Sequence, residues 1–283
     1  MDPGRAQKIF TMAVVALLCI GDVTAVPNAD GLQSANRMAE KVAIVKNMES
    51  KDIEAASFLL NDVWQKLYEK CGQKNMVFPR QIVFLNGAPG AGKGTNTATV
   101  MRVLEIPTRP VEVSSLLNTP ECEKLKESGM LVGDEIVIKQ LFCELLKPEN
   151  FRGIIIDGFP RTTVQAHFLR LLIRKLNEDW SEQMPIFRMI NFSVSQRTSI
   201  NRQLSRGVAA IEQSKKTPAD GGKLVTVRPT DLSAEAAARR YKIYEESIGA
   251  CIMILRDCLE FYEIDAEGTL EEVKHRAQNM LSQ

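Results

Sequence analysis

The sequence predicts an α/β fold with a central parallel sheet and helices on both faces. Two stretches carry that prediction. In the first, an apolar run from Gln81 to Leu85 leads into Gly87-Ala88-Pro89-Gly90-Ala91-Gly92-Lys93-Gly94-Thr95 and then into a helical segment. In the second, the β-branched run Gly153-Ile154-Ile155-Ile156 ends in Asp157-Gly158-Phe159-Pro160-Arg161. Apolar runs of this kind, each closed by a tight turn, read as strands buried on both faces of a parallel sheet, and ligands bind beyond the C-terminal ends of such strands.

The chain has 283 residues, enough for one large domain or one domain with extensions. Its 36 Lys and Arg against 35 Asp and Glu exclude a global basic field, so nucleic acid is not the expected partner. The six cysteines form no C-x-x-C pair, which excludes the usual zinc framework. Cys251 and Cys258, on one apolar helical run, read as packing thiols.

From the N-terminus, Arg5 and Lys8 precede an apolar run, Ile9 to Ile20, followed by the small residues Val23-Thr24-Ala25. Residues 1–25 therefore read as a signal-like or targeting segment, or alternatively as a buried helix. The run falls short of the ~20 apolar residues of a membrane span, so no stable membrane anchor is expected. The segment points to organelle import or export or to a start site placed too far upstream, which sits oddly with the phosphate-binding reading of Gly87 to Thr95 given below, since nucleotide triphosphate is mainly available in the cytoplasm and organelle interiors.

Residues 26–79 read as a helical N-terminal extension. Between Ala35 and Cys71, Ser50 is the expected N-cap, with Asp52 and Glu54 in the first turn. Ile53, Ala56, Leu60, Val63, Trp64 and Leu67 form one apolar stripe, and Gly72 is the expected stop.

The glycine loop comes next. Five of its nine residues are Gly or Pro, so neither helix nor strand is expected within it. Its glycines let several backbone N–H groups turn toward one anion, the following helix presents its positive end, and Lys93 can reach the outer phosphates of a nucleotide. Downstream, Asp157 can hold magnesium directly or through water, and Arg161 can grip phosphate oxygens in a planar fork. His167 and His275 are the only histidines, and both are expected at the surface.

At these residues the chain resembles the adenylate kinase family of nucleoside monophosphate kinases. The loop has that family's G-x-P-G-x-G-K-G-T form, with the hydroxyl displaced to Thr95. Gly129-Met130-Leu131-Val132-Gly133-Asp134-Glu135 resembles its G-x-L-V-x-D-E segment, and Asp157 through Ala166 its D-G-F-P-R signature. Val194, Arg202 and Arg206 keep its spacing at the mouth of a lid; Arg228-Pro229-Thr230-Asp231 resembles the lid exit, and Arg240-Tyr241 a further phosphate-facing position. The final strand and helix, Phe261 to Gln278, are similar too, so the resemblance spans Gln81 to Gln278.

The resemblance implies a P-loop nucleoside-triphosphate-hydrolase-like three-layer fold over residues 80–283, with an acceptor-binding region at 110–140 and a lid at 207–228. It implies a monomer that uses ATP and Mg2+ and moves a phosphate from ATP to AMP. The catalytic residues would be Lys93, Arg161, Arg202, Arg206, Arg228 and Arg240. Gly90, Ala91, Gly92, Lys93, Gly94 and Thr95 would hold the donor phosphates, Asp157 would orient magnesium through its waters beside Gly158, and Gln165 would recognise the acceptor base. Val132, Ser114 and Asn118 fall in the acceptor region.

The chain departs from the family at Glu112 to Asn118, which reads E-V-S-S-L-L-N where S-T-G-D-x-L-R is usual. The acceptor-phosphate arginine is thus Asn118, and Lys124 or Lys126 is the candidate for its charge. The 207–228 segment contains no cysteine, so a zinc-bearing lid is excluded; Pro218 and Gly221-Gly222 suggest a loop. A second reading keeps the fold and takes UMP or CMP as acceptor. A third is a non-catalytic nucleotide-binding sensor, supported only by Asn118.

Overall fold

The computed structural model describes residues 29–72, 76–120, 122, 133–179, 184–216 and 228–282. The chain divides into two units, Met1–Ser50 and Lys51–Gln283. Of the first, residues 29–50 are described, all helical. Residues 1–28, Lys124, Lys126, Val132, Pro218, Gly221 and Gly222 lie outside the described residues. Among those described, no helix is long and apolar enough to cross a membrane.

Helix α1 runs from Ala29 to Cys71. It passes straight through Ser50, so the expected cap there is wrong. The residues before it, Asn47-Met48-Glu49, contain neither Gly nor Pro, so nothing in the backbone stops the helix. The expected stop is right: Gly72 takes φ 69°, and its N–H closes on the Tyr68 carbonyl at 2.8 Å. Ala56, Leu59, Leu60 and Val63 are buried, which confirms the apolar stripe.

Five strands, β1 (Gln81–Gly87), β2 (Val111–Glu112), β3 (Ile154–Asp157), β4 (Ile186–Ser193) and β5 (Glu260–Asp265), form one sheet in the order β2-β3-β1-β4-β5. Every pairing is parallel. Parallel neighbours need crossovers, and helices supply them: α2 (Lys93–Val103), the short α3 (Val113–Leu116), α4 (Asp134–Leu145), α5 (Thr163–Asp179), α6 (Gln196–Lys216) and α7 (Ala234–Leu255), while α8 (Leu270–Leu281) follows the last strand.

Side chains alternate along the strands, so the sheet divides two apolar layers. Ile82, Phe84, Ile154, Ile156, Phe187 and Met189 pack with residues of α1, α4, α5 and α7. Val83, Leu85, Ile155, Ile190 and Phe192 face the other way, toward α2 and α8. The three-layer α/β expectation therefore holds.

Two local expectations do not. β1 extends to Gly87 and α2 already starts at Lys93, so the irregular part of the loop is shorter than its composition suggests. His167 is buried, only 1% exposed, because α5 is enclosed over five consecutive residues from Gln165 to Leu169. His275 is exposed, as expected, beside Asn279 on α8.

Candidate active site

The glycine loop leaves β1 under close constraint. A Cβ at Gly87, where φ is 154°, would stand 2.7 Å from the Phe192 carbonyl oxygen, so only glycine lets β1 and β4 approach this closely. Gly92 takes φ 81° and forms the cap of α2, whose first N–H groups have no acceptor within the helix. Helix α6 holds the loop from outside: Ser199 Oγ donates to the Pro89 carbonyl at 2.6 Å, and Arg202 Nη1 to the Gly90 carbonyl at 3.4 Å. Because the C=O and N–H of a trans peptide point opposite ways, tethering the Pro89 carbonyl to α6 aims the Gly90 N–H away from it. Lys93 Nζ donates across the loop to the Gly87 carbonyl at 2.7 Å.

Four charged residues act on Lys93. Burial pushes its ammonium down to about 8; Asp157 opposes this, while Arg161, Arg240 and Arg206 add to it. The Arg161 guanidinium is likewise lowered, first by burial, with Asp157 raising it and Arg228 lowering it further. For Arg240 burial again leads, followed by Arg228 and Arg206. Lys93, Asp157, Arg161, Arg206, Arg228 and Arg240 thus share one electrostatic neighbourhood. Asp157 ends β3 directly opposite Leu85 of β1, and Gly158 turns the chain at φ 90° with its N–H on the Leu85 carbonyl at 3.4 Å.

Asp231, a residue the sequence reading quoted without a role, organises two of these arginines. It is 2% exposed and accepts from Arg206 Nε at 2.7 Å, Arg206 Nη2 at 2.9 Å and Arg240 Nη1 at 3.3 Å. Arg202 is placed differently. Its guanidinium donates to the carbonyls of Ala266 at 3.0 Å and Gly268 at 2.9 Å. There it lines a cavity of about 370 Å³ with Gly92, Thr95, Thr269 and Val273, next to the mouth of the loop. The sequence reading missed the α8 side of this cavity, since nothing in Gly268-Thr269 marks it as a binding element.

Gln165 lies in the first turn of α5 and is 3% exposed. Its Oε1 accepts from the Arg161 N–H at 2.8 Å, and its Nε2 donates to Asp134 Oδ1 at 2.8 Å. Asp134 Oδ1 also accepts from Thr162 Oγ1 at 2.8 Å. An amide has two donors and an acceptor with two lone pairs, so one N–H and one lone pair remain on Gln165 after these contacts. Ser114 and Asn118 are exposed, in and just after α3 at the end of β2.

Among the described residues no three His, Cys, Asp or Glu side chains gather to hold a metal. Asp157 alone still suits magnesium, which keeps several waters and takes its other ligands from substrate phosphates.

No family model matches the chain. An adenylate kinase from Mycolicibacterium paratuberculosis is 30% identical over 202 residues, 69% of this chain and 96% of that protein. One from Archaeoglobus fulgidus is 29% identical over 213 residues, 68% of this chain and 93% of that protein. Among solved structures, a sugar kinase from Janibacter sp. HTCC2649 matches with a TM-score of 0.42 at 16% identity, over 72% of this chain and 95% of that one, too slight a likeness to carry argument. With sequence identity of that extent to adenylate kinases, running almost the full length of the relative, the chain belongs to the adenylate kinase family of P-loop nucleotide kinases.

Proposed function

We propose that the protein is a nucleoside monophosphate kinase that transfers the terminal phosphate of ATP reversibly to AMP, giving two ADP. The observation that carries this reading is the gathering of Asp157, Arg161, Arg206 and Arg240 about Lys93, with Arg228 near Arg161 and Arg240 and with Gln165 in the turn next to Arg161. An oxygen of the acceptor phosphate attacks the γ-phosphorus while the bond to the β-phosphate oxygen breaks. Charge accumulates on the equatorial oxygens, so positioning and cationic stabilisation do most of the work. No covalent intermediate is needed.

In this reading the N–H groups from Gly90 to Thr95 and Lys93 bind the donor phosphates, and the cavity beside Arg202 takes the donor base. Phosphates arriving at Lys93 restore its full charge. Arg206 and Arg240, already set by Asp231, turn their remaining N–H groups to the transferring phosphate, with Arg161 and Arg228 completing the set. Gln165 offers its free N–H and lone pair to the acceptor base. Asp157 would hold magnesium through water, and the ion, when bound, neutralises charge between the donor phosphates.

Asn118 leaves the acceptor phosphate without the usual arginine. Lys124 or Lys126 would supply that charge in this reading. The test is the full chain incubated with Mg-ATP and AMP, UMP, CMP or GMP in turn. AMP should give diphosphate fastest. Faster turnover of a pyrimidine monophosphate would move the assignment to that acceptor, and product with none of them would leave a nucleotide-binding protein without transfer.

A further inference from the structure

The acceptor side of the site is braced by a helix that precedes the stretch Gln81 to Gln278 on which the family resemblance rests. Thr163 Oγ1, in the first turn of α5, donates to Asp52 Oδ2 of α1 at 2.5 Å. Next to it, Thr162 Oγ1 accepts from the Gln165 N–H at 3.1 Å and donates to Asp134, the carboxylate that also receives the Gln165 amide. Two carboxylates from two other helices therefore fasten the one turn that carries Gln165. A carboxylate at this end of a helix is also favoured by the helix dipole.

Asp52 is fixed in place by its own helix. One turn further on, Ala56 is fully buried, and Leu59, Leu60 and Val63 continue the same face into the core shared with Val137, Ile138, Phe168 and Leu172. Farther along, Asp62 pairs with Lys139 of α4 at 3.4 Å, and Lys139 with Glu135 of the same helix, next to Asp134. Helix α1 thus grips α4 near Asp134 and α5 at Thr163. The donor side is held separately, by α2, α6 and the Gly268-Thr269 turn.

We infer that Asp52 is a positioning residue for acceptor binding: through Thr163 it holds the first turn of α5, and so sets the direction in which the Gln165 amide faces the acceptor base. The inference rests on the acceptor role proposed for Gln165. Loss of the Asp52 contact leaves that turn held by Asp134 alone, so the acceptor must complete its ordering on binding, while the ATP side is untouched.

The experiment measures steady-state KM for AMP and for ATP in the full chain, with melting temperature recorded for each variant. Asp52→Ala and Thr163→Val should each raise the KM for AMP about tenfold, the size of one charge-assisted hydrogen bond. The KM for ATP should stay within about twofold. Thr163→Ser, which keeps the hydroxyl, should behave as the wild type, and the double variant Asp52→Ala/Thr163→Val should be no worse than either single one. Hydrogen exchange at the Gln165 and Ala166 amides should accelerate in Asp52→Ala. An unchanged KM for AMP, or equal rises in both KM values, overturns the inference even if the melting temperature falls. Gln165→Leu separates the two levels. If it raises the KM for AMP and Asp52→Ala does not, only the positioning role is lost; if Gln165→Leu also has no effect, both fall.

Discussion

Asp231 and Arg206 meet as a two-point pair, Nε on Oδ2 at 2.7 Å and Nη2 on Oδ1 at 2.9 Å, with the carboxylate buried and the arginine nearly half exposed. A planar fork on a planar carboxylate fixes the guanidinium in orientation as well as in place. Arg240 leans on the same carboxylate from α7. One sheltered acid therefore presets two of the cations assigned to the transferring phosphate. Catalysis by fixed charge depends on such presetting, because the groups need not reorganise during the reaction.

Asp231→Ala should accordingly cost about 2–3 kcal/mol of stability, since it removes the partner of two arginines. It should also lower kcat at least about tenfold, because both guanidiniums lose their orientation. Thermal melting and initial rates check the two parts. A stable variant with unchanged kcat would show that Asp231 presets nothing.

Lys93→Met should lower turnover by several orders of magnitude while raising the stability of the free protein at neutral pH. The sign follows from the ammonium's fall from 10.5 to about 8 on folding. Below about 8 both states are protonated and burying the charge opposes folding; between about 8 and 10.5 the unfolded chain holds the extra proton, so wild-type stability rises with pH. The gain from Met should be largest below pH 8, up to about 3 kcal/mol, and fade toward pH 10.5. Melting curves of both proteins across that range check it. ATP binding near pH 8.5 should also draw a proton from solution, visible as buffer-dependent heats in calorimetry.

The parts of the site legible in the sequence are those written locally. Gly90, Gly92 and Gly158 all hold positive φ, and such turns are marked by residue type, so the loop and the Asp157 turn can be read without a structure. The sheet is legible for a similar reason, since β-branched runs between turns have few alternatives. What was missed joins distant residues: Arg206 to Asp231 across 25 positions, Gln165 to Asp134 across 31, Thr163 to Asp52 across 111. No periodicity encodes those pairs. The same blindness put His167 on the surface, because its burial comes from the packing around α5 rather than from any local signal. Ser50 illustrates the converse, a good capping residue overruled because the helix on its N-terminal side simply continues.

Gly87→Ala should destabilise the fold by roughly 1–3 kcal/mol, because the new methyl group meets backbone rather than a flexible side chain. Gly94→Ala is the control. Nothing lies within 4 Å of a Cβ there, so stability should hold. Denaturant titration of both variants distinguishes a packing effect at Gly87 from a general sensitivity of the loop.

Gln165→Leu should raise the KM for AMP by more than about tenfold and that for ATP little, because the base then meets an apolar group where its own polar edge needs a partner. The variant also strips Asp134 and the Arg161 N–H of a partner, so a lower melting temperature should accompany the kinetic change. A matched rise in both KM values would instead place Gln165 outside the acceptor pocket.

The most direct measurement starts from the products. The purified chain is given Mg-ADP alone, and nucleotides are followed by chromatography. If the cluster around Lys93 and Asp157 moves a phosphate between two adenine nucleotides, ATP and AMP should appear in equal amounts, and Lys93→Met should abolish both. ADP that persists unchanged, in a protein that binds ATP and remains folded, would contradict AMP as the acceptor.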